Sequence, residues 1–271
     1  MRIWFPALGL LLILAAGVRA DTLDLKGSLA QGGLIVGLSE PGATVTLDGK
    51  PIRTAPDGRF LLGFSRDAAP SAILDITLPD GRRDRRELKI ASRQFQIERI
   101  DGLPERKVTP KPEDIARIKV EKAALDAARA TADPLPAFDG SFAWPAEGRI
   151  SGVYGSQRIL NGKPRRPHFG TDIAAAEGAP VRAMAAGRVA FAHAGMFYNG
   201  KTVLIDHGLG LRSIYIHLSA ISARPGQWVK KGDIIGAVGK TGRVTGAHLH
   251  FGVSLDVTPL DPELILKDVV R

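Results

Sequence analysis

Short apolar runs separated by turn residues dominate the first third of the chain. Clusters such as Pro56-Asp57-Gly58 and Pro79-Asp80-Gly81 divide these runs. Strands this short, at this spacing, are typical of a small antiparallel β-sandwich. We therefore predict a β-sandwich accessory domain over residues 21–100. This region contains no histidine, so its role is either that of a positioning or binding module or that of a structural spacer.

A helix is predicted in the linker that follows, residues 101–137. Pro112 and the two acidic residues after it mark the first turn of the helix. Ile115, Ile118 and Leu125 recur at helical spacing and give a thin apolar stripe. Such a helix must pack on a neighbour to persist. We interpret it as a strut between domains, and a cover over a groove in the next domain is the alternative.

Residues 138–271 show β patterning throughout, with glycines at nearly every junction. This pattern favours a compact, mainly antiparallel sheet domain over a βαβ fold. The candidate strands are 149–154, 181–185, 188–192, 202–206, 212–217, 234–238 and 248–255.

The first twenty residues have the pattern of an export signal. A basic start at Arg2 precedes an apolar run from Trp4 to Val18, and Ala20 ends a cleavage motif. The apolar run is shorter than the roughly 20 residues that span a bilayer, so we expect cleavage after Ala20 rather than a retained membrane anchor. The chain has no cysteine and hence no lipidation site. The expected location is periplasmic or secreted, without stable membrane insertion.

The chain is basic, with 37 lysines and arginines against 28 acidic residues and a formal net charge of +9. A basic exported protein is attracted to anionic surfaces such as cell-wall polymers or phospholipid head groups. Nucleic acid is the usual partner of a basic chain, and the predicted export argues against it.

All six histidines lie between positions 168 and 250. His248 and His250 occupy a predicted strand, where alternation places both imidazoles on one face. Taken alone, such a pair is more often solvated than functional. His168 and Asp172 are the sharpest partners, because two neutral imidazoles and a carboxylate suit zinc with one position left for water. Zinc would lower the pKa of that water toward about 7.

His217 follows Tyr215 in another predicted strand, and we expect the two side chains to share a face. Once three metal ligands are chosen, two histidines remain for acid–base work, as peptide hydrolysis requires. A hydrogen-bonded core histidine is the alternative interpretation of His217.

Three motifs, in this order along the chain, resemble those of a known family. They are PHFGTD at 167–172, YIHL at 215–218 and TGRVTGAHLHF at 241–251. Over about residues 138–258 the chain resembles the lysostaphin- and LytM-type zinc endopeptidases of family M23. The resemblance implies a two-layer antiparallel β fold with a long groove. It also implies cleavage of peptide cross-links in bacterial peptidoglycan.

By position, the resemblance implies that His168, Asp172 and His250 bind zinc and that His217 and His248 are catalytic. His248 is expected to handle the proton and His217 the oxyanion, or the reverse. Some relatives lack ligands and activate other cell-wall hydrolases, so a regulatory module for another hydrolase is the alternative function. A regulatory protein is a candidate partner in addition to peptidoglycan. All five positions are retained in this sequence.

Four further polar residues of this domain stand outside the motifs. His193 and His207 are predicted to be structural or solvent-facing. Arg158 and Asn161, in a loop before the first ligand, are candidates for binding substrate amides or carboxylates. The scissile bond would be either a glycine bridge or a direct cross-link from D-Ala to a diamino acid, and we expect the direct one.

Overall fold

The computed structural model describes residues 23–267. The predicted export signal, residues 1–20, lies outside the described residues and stays a prediction. The described part of the chain is mainly β with three helices, which confirms the predicted fold class. None of those helices is long and apolar enough to cross a bilayer.

The N-terminal unit consists of two antiparallel sheets. Its strands are β1 (Asp24–Gly27), β2 (Leu34–Leu38), β3 (Thr44–Leu47), β4 (Lys50–Ile52), β5 (Arg59–Gly63), β6 (Ser71–Thr77) and β7 (Arg83–Lys89). The strand orders are β1-β2-β5 and β4-β3-β6-β7. Alternation builds the core, because Leu74 and Ile76 of β6 meet Phe60 and Leu62 of β5 between the sheets. The predicted β-sandwich is confirmed.

The segment after the sandwich contributes one strand and two helices. They are β8 (Ile97–Ile100), α1 (Glu105–Val108) and α2 (Pro112–Ala130). Pro112 stands at the first position of α2, and acidic residues fill its first turn, where they complement the positive end of the helix dipole.

The C-terminal unit has two layers of antiparallel strands. Its elements are β9 (Arg149–Gly152), β10 (Gln157–Leu160), β11 (Lys163–Pro164), β12 (Thr171–Ala174), β13 (Pro180–Arg182), β14 (Gly187–Met196), β15 (Gly200–Asp206), β16 (Leu211–Leu218), β17 (Ala220–Ile221), β18 (Trp228–Val229), β19 (Ile234–Ala237), β20 (Leu249–Leu255), β21 (Thr258–Leu260) and α3 (Pro262–Ile265). The large sheet runs β18-β14-β15-β16-β20-β12-β9, with β21 on β20, and the small sheet runs β13-β19-β17. Tyr215 and Phe251 of the large sheet share one buried core with Val181 and Ile235 of the small sheet.

The segment from β8 to α2 is part of this C-terminal architecture, and β8, which lies inside the predicted sandwich bounds 21–100, pairs outside the sandwich. Strand β8 runs parallel to β10, with Glu98 opposite Arg158, in a third sheet of order β11-β10-β8. Helix α2 docks on the β14–β15 hairpin, where the Glu121 carboxylate accepts a hydrogen bond from the Phe197 N–H at 2.6 Å. Leu125 packs there against Met196. Of the predicted apolar stripe, Leu125 therefore has a packing partner, whereas Ile115 stays 42% exposed.

His207 is buried in the C-terminal core and has a structural role there. Its Nδ1–H donates to the Ala186 carbonyl at 2.8 Å, and its Nε2 is 2.7 Å from the Ser213 hydroxyl. That hydroxyl is in turn hydrogen-bonded to the Tyr215 hydroxyl. Burial lowers the pKa of His207 from 6.5 to about 4, so the folded protein holds this imidazole neutral.

This burial makes folding sensitive to acid. An unfolded histidine gains its proton near pH 6.5, but folded His207 resists protonation until about pH 4, so its contribution is lost as the pH falls between these values. We expect the stability advantage of the wild type over His207→Gln to shrink by about 2 kcal/mol between pH 7.5 and pH 5. Urea unfolding at both pH values measures this difference. The partly exposed His193→Gln serves as the control, and a pH-independent advantage over His207→Gln would contradict the argument.

Candidate metal centre and its groove

The strand pair β12–β20 brings Asp172 and His250 together. They are direct partners across the antiparallel pair, so their side chains lie on the same face of the sheet. His168 precedes β12, and its backbone is bonded to the backbone of Ser156 and of Gly155. These main-chain bonds fix His168 beside the other two residues.

One atom from each of the three residues converges on a small triangle. His168 Nε2 lies 2.8 Å from His250 Nδ1, His250 Nδ1 lies 2.7 Å from Asp172 Oδ1, and His168 Nε2 lies 3.1 Å from Asp172 Oδ1. A triangle with sides near 3 Å can be capped by an ion with bonds of about 2.0–2.1 Å, the zinc–nitrogen and zinc–oxygen distances. The residues present therefore fit a zinc ion.

The protonation states also suit a cation. His168 Nδ1–H donates to the Val153 carbonyl at 3.0 Å, which leaves a lone pair on Nε2. Burial lowers the pKa of His250 to about 4, so this ring is neutral near pH 7. Burial alone would raise the pKa of Asp172, but His168 and then His250 hold it well below its ordinary value. Neutral imidazoles and an ionised carboxylate are the forms that bind metals.

Arg158 holds the second oxygen of Asp172. Its Nη2 donates to Asp172 Oδ2 at 2.5 Å, and its Nε donates to Glu98 Oε2 at 3.1 Å. Both carboxylates are thus ordered by one guanidinium, and Oδ1 of Asp172 is left to face the histidines. A group in this position orients the metal-binding carboxylate. The prediction that Arg158 contacts substrate remains untested.

His217 and His248 stand next to the triangle, with ring centroids 4.9 Å apart. His217 Nδ1–H donates to the Thr241 carbonyl at 2.8 Å, and His248 Nδ1–H donates to the Gly246 carbonyl at 3.0 Å. Because Nδ1 of each ring is committed to a carbonyl, Nε2 is the ring nitrogen that can accept a hydrogen bond. Burial, with smaller effects from His248 and His250, lowers the pKa of His217 to about 3.

The expectation that Tyr215 and His217 share a face is wrong. Tyr215 is fully buried, and its hydroxyl accepts a hydrogen bond from the Met184 N–H in the core, whereas His217 lines the groove. The backbone of His217 adopts φ +67°, a left-handed conformation that breaks the strand alternation. This turn carries the imidazole from the core side to the side of His250.

A groove of about 690 Å³ contains these histidines. Helix α2 supplies part of its wall through Ile118, Glu121, Lys122 and Leu125. The helix predicted as a strut therefore also borders the groove. Basic side chains form another part of the lining.

The remaining predicted residues lie elsewhere or serve the fold. Asn161 forms two hydrogen bonds with the backbone of Leu103, at 3.2 and 2.8 Å, and its proposed contact with substrate stays a prediction. His193 is partly exposed and its Nδ1 accepts from the Gly195 N–H. Sequence reasoning missed Arg243 in the groove, although it stands inside the TGRVTGAHLHF motif.

The chain is similar in sequence and fold to known proteins. The family description Peptidase family M23 matches residues 166–262. A crystal structure from Pseudomonas aeruginosa, named as a candidate peptidase M23, is 30% identical and covers 88% of this chain and 95% of its own, with a TM-score of 0.64. The chain belongs to peptidase family M23.

Curated M23 relatives match over shorter stretches. The DD-carboxypeptidase/endopeptidase Mpg of Neisseria meningitidis is 44% identical over 114 residues, which are 42% of this chain and 26% of that protein. The peptidoglycan DD-endopeptidase ShyB of Vibrio cholerae is 41% identical over 35% of this chain and 22% of its own. The cell division protein DipM of Caulobacter vibrioides is 34% identical over 59% of this chain and 26% of its own. The chain thus spans about a quarter of the length of these relatives.

Loss of a ligand should abolish metal retention. We expect His250→Ala and Asp172→Ala to purify without stoichiometric zinc, because each removes one of three donors from the triangle. Elemental analysis of the purified protein measures the zinc content, with His193→Ala as a matched control. Full zinc occupancy in either ligand variant would show that the ligand assignment is wrong.

Loss of Arg158 should weaken the metal site without removing a ligand. We expect Arg158→Met to raise the dissociation constant for zinc about 10- to 100-fold, the range for groups that orient metal ligands. Competition with a chromophoric chelator measures this constant without reference to activity. Arg188→Met, on the exposed face of β14, should leave the constant unchanged. Unaltered affinity in Arg158→Met would mean that Asp172 needs no support.

Proposed function

We propose that this M23 protein is an exported zinc endopeptidase that hydrolyses peptide cross-links in bacterial peptidoglycan. The observation that carries the proposal is the complete His168–Asp172–His250 triangle beside two histidines with free Nε2 atoms. Relatives named as DD-endopeptidases support the substrate class. The predicted export signal supports a periplasmic or secreted location.

Hydrolysis requires a base for the water and an acid for the leaving amine. The water oxygen bonds to the carbonyl carbon, the carbon–nitrogen bond breaks, and one proton passes from the water to the amine. We assign that proton to Nε2 of His248, because this side chain is partly exposed whereas that of His217 is buried. A zinc ion bound by the three ligands would supply the positive charge that polarises the scissile carbonyl.

His217 has a different role, because its environment opposes a positive charge. Its pKa of about 3 keeps the ring neutral, and the Thr241 carbonyl holds its proton on Nδ1. An oxyanion needs a hydrogen-bond donor. Nε2 of the neutral His217 ring carries no proton and cannot donate. We therefore assign His217 to orienting the attacking water by accepting its hydrogen bond.

A regulatory module for another cell-wall hydrolase is the second candidate function. The observation behind it is the likeness to DipM, which is named for cell division rather than for a peptidase activity. In that role the groove would hold its ligand without turnover. The complete ligand set and the two free Nε2 atoms favour the enzyme.

Purified peptidoglycan tests the two candidates together. We expect the zinc-loaded protein to release peptide fragments from directly cross-linked sacculi, and we expect chelation to stop the release and added zinc to restore it. Mass spectrometry of the fragments identifies the bond, with glycine-bridged sacculi as the comparison substrate.

Variants make this test specific. His248→Ala should lower the rate by 10²-fold or more, the usual contribution of a general base, while retaining zinc. His193→Ala should cleave like the wild type. A zinc-loaded wild type that releases no fragments but stimulates a second hydrolase would replace the enzyme with the regulatory module.

A further inference from the structure

Cationic side chains outnumber acidic ones around the groove. The cations are Lys122, Arg158, Arg165, Arg166 and Arg243, and the acids are Glu98, Glu121 and Asp172. Every one of these acids is already engaged, two by Arg158 and the third by Arg117 and a backbone N–H. Lys122 pairs with Asp126. The groove therefore carries cations that the protein itself does not neutralise.

Arg165, Arg166 and Arg243 are these cations. Within residues 23–267, none of the three forms an ion pair with a carboxylate. Arg165 directs two nitrogens at the Pro164 and Val108 carbonyls, at 2.9 and 2.8 Å, which orders its guanidinium but leaves its charge. Arg166 is exposed and lies 5.7 Å from the Phe169 ring centroid.

Arg243 is held against Tyr198 by both its side chain and its backbone. Its guanidinium carbon lies 4.6 Å from the Tyr198 ring centroid, and its backbone N–H donates to the Tyr198 carbonyl at 2.8 Å. The preceding Gly242 has φ +83°, and a Cβ there would lie 2.3 Å from the Tyr198 carbonyl oxygen. The loop therefore fits closely against Tyr198 and holds Arg243 in place. The residue is partly buried.

The surroundings of Arg243 disfavour its charge. Burial lowers its pKa, and the nearby charges of Arg158 and Arg165 lower it further. A partly buried guanidinium next to other cations is stabilised when an anion arrives. A carboxylate suits this position because it accepts two parallel hydrogen bonds from one guanidinium. A peptide lying along the groove can carry such a group.

We propose that Arg243, assisted by Arg165 and Arg166, binds a free carboxylate of the peptide substrate and so selects substrates with an acidic residue next to the scissile amide. This inference rests on the proposed function, since it concerns the substrate of the same groove. It adds a specificity-determining residue outside the metal and proton-transfer groups.

Two synthetic peptides that differ in one group test the inference. Each carries the same scissile amide, and the adjacent residue bears a carboxylate in one peptide and a carboxamide in the other. We expect the wild type to favour the carboxylate by on the order of tenfold or more in kcat/KM, as hydrogen bonds to a charged group allow. Arg243→Gln should lose this preference by cleaving the carboxylate peptide more slowly and the carboxamide peptide at the wild-type rate.

Matched variants separate binding from folding. Arg243→Lys should keep part of the preference for the carboxylate peptide, because lysine retains the positive charge but cannot form the bidentate hydrogen bonds of a guanidinium. Arg188→Gln removes a charge outside the groove and should behave like the wild type. If Arg243→Gln does not fold, the exposed Arg166→Gln carries the test and should lower the preference severalfold. Equal rates for both peptides in the wild type, or an equal loss on both in Arg243→Gln, would overturn the inference.

Binding measurements keep this test independent of turnover. If the wild type cleaves neither peptide, the proposed function has failed, and calorimetric titration with the intact carboxylate peptide then decides the inference. A dissociation constant raised about tenfold or more in Arg243→Gln, with the carboxamide peptide unaffected, would support the subsite. Equal constants for wild type and variant would refute it.

Discussion

The register between β12 and β20 is the constraint on which the site depends. Asp172 faces His250 directly across this pair, and the neighbours Ile173, Leu249 and Phe251 enter the core. A slip of β12 by one residue would exchange its two faces, placing the Asp172 carboxylate in the core and Ile173 in the groove. The burial that stabilises the sheet therefore also fixes the spacing of the metal ligands.

Charged groups around Asp172 are the second determinant of the metal site. Asp172 is almost fully buried, which by itself disfavours its ionised form. His168 and His250 offset this beside Oδ1, while Arg158 binds Oδ2 and is itself held by Glu98 of strand β8. Since β8 precedes the C-terminal unit in sequence, a strand from the end of the predicted sandwich region contributes directly to the environment of a metal ligand. Helix α2 of the linker forms part of the wall of the same groove.

Sequence alone predicts what depends on local spacing. The resemblance to family M23 gave His168, Asp172 and His250 as the set of metal ligands. Strand alternation predicted that His248 and His250 share one face. Short punctuated strands likewise predicted the sandwich. These features follow from periodicity within one or two elements.

Contacts between distant segments escaped the same reasoning. The face of His217 depends on one left-handed residue at the end of β16, which no periodicity reveals. The bonds of Asn161 to Leu103 join residues far apart in sequence. The position of Arg243 is set by its contact with Tyr198, over forty residues earlier in the chain. Each case is set by tertiary packing, which overrides the local pattern.

The sandwich and the M23 unit are joined by a common core. Leu34 and Leu61 of the sandwich belong to the same buried cluster as Phe251 and Val253, and a Cβ at Gly63 would lie only 3.1 Å from Leu255. Shared burial of this kind couples the unfolding of two parts into one cooperative transition. Removing the N-terminal unit would therefore expose part of the core of the M23 unit to water.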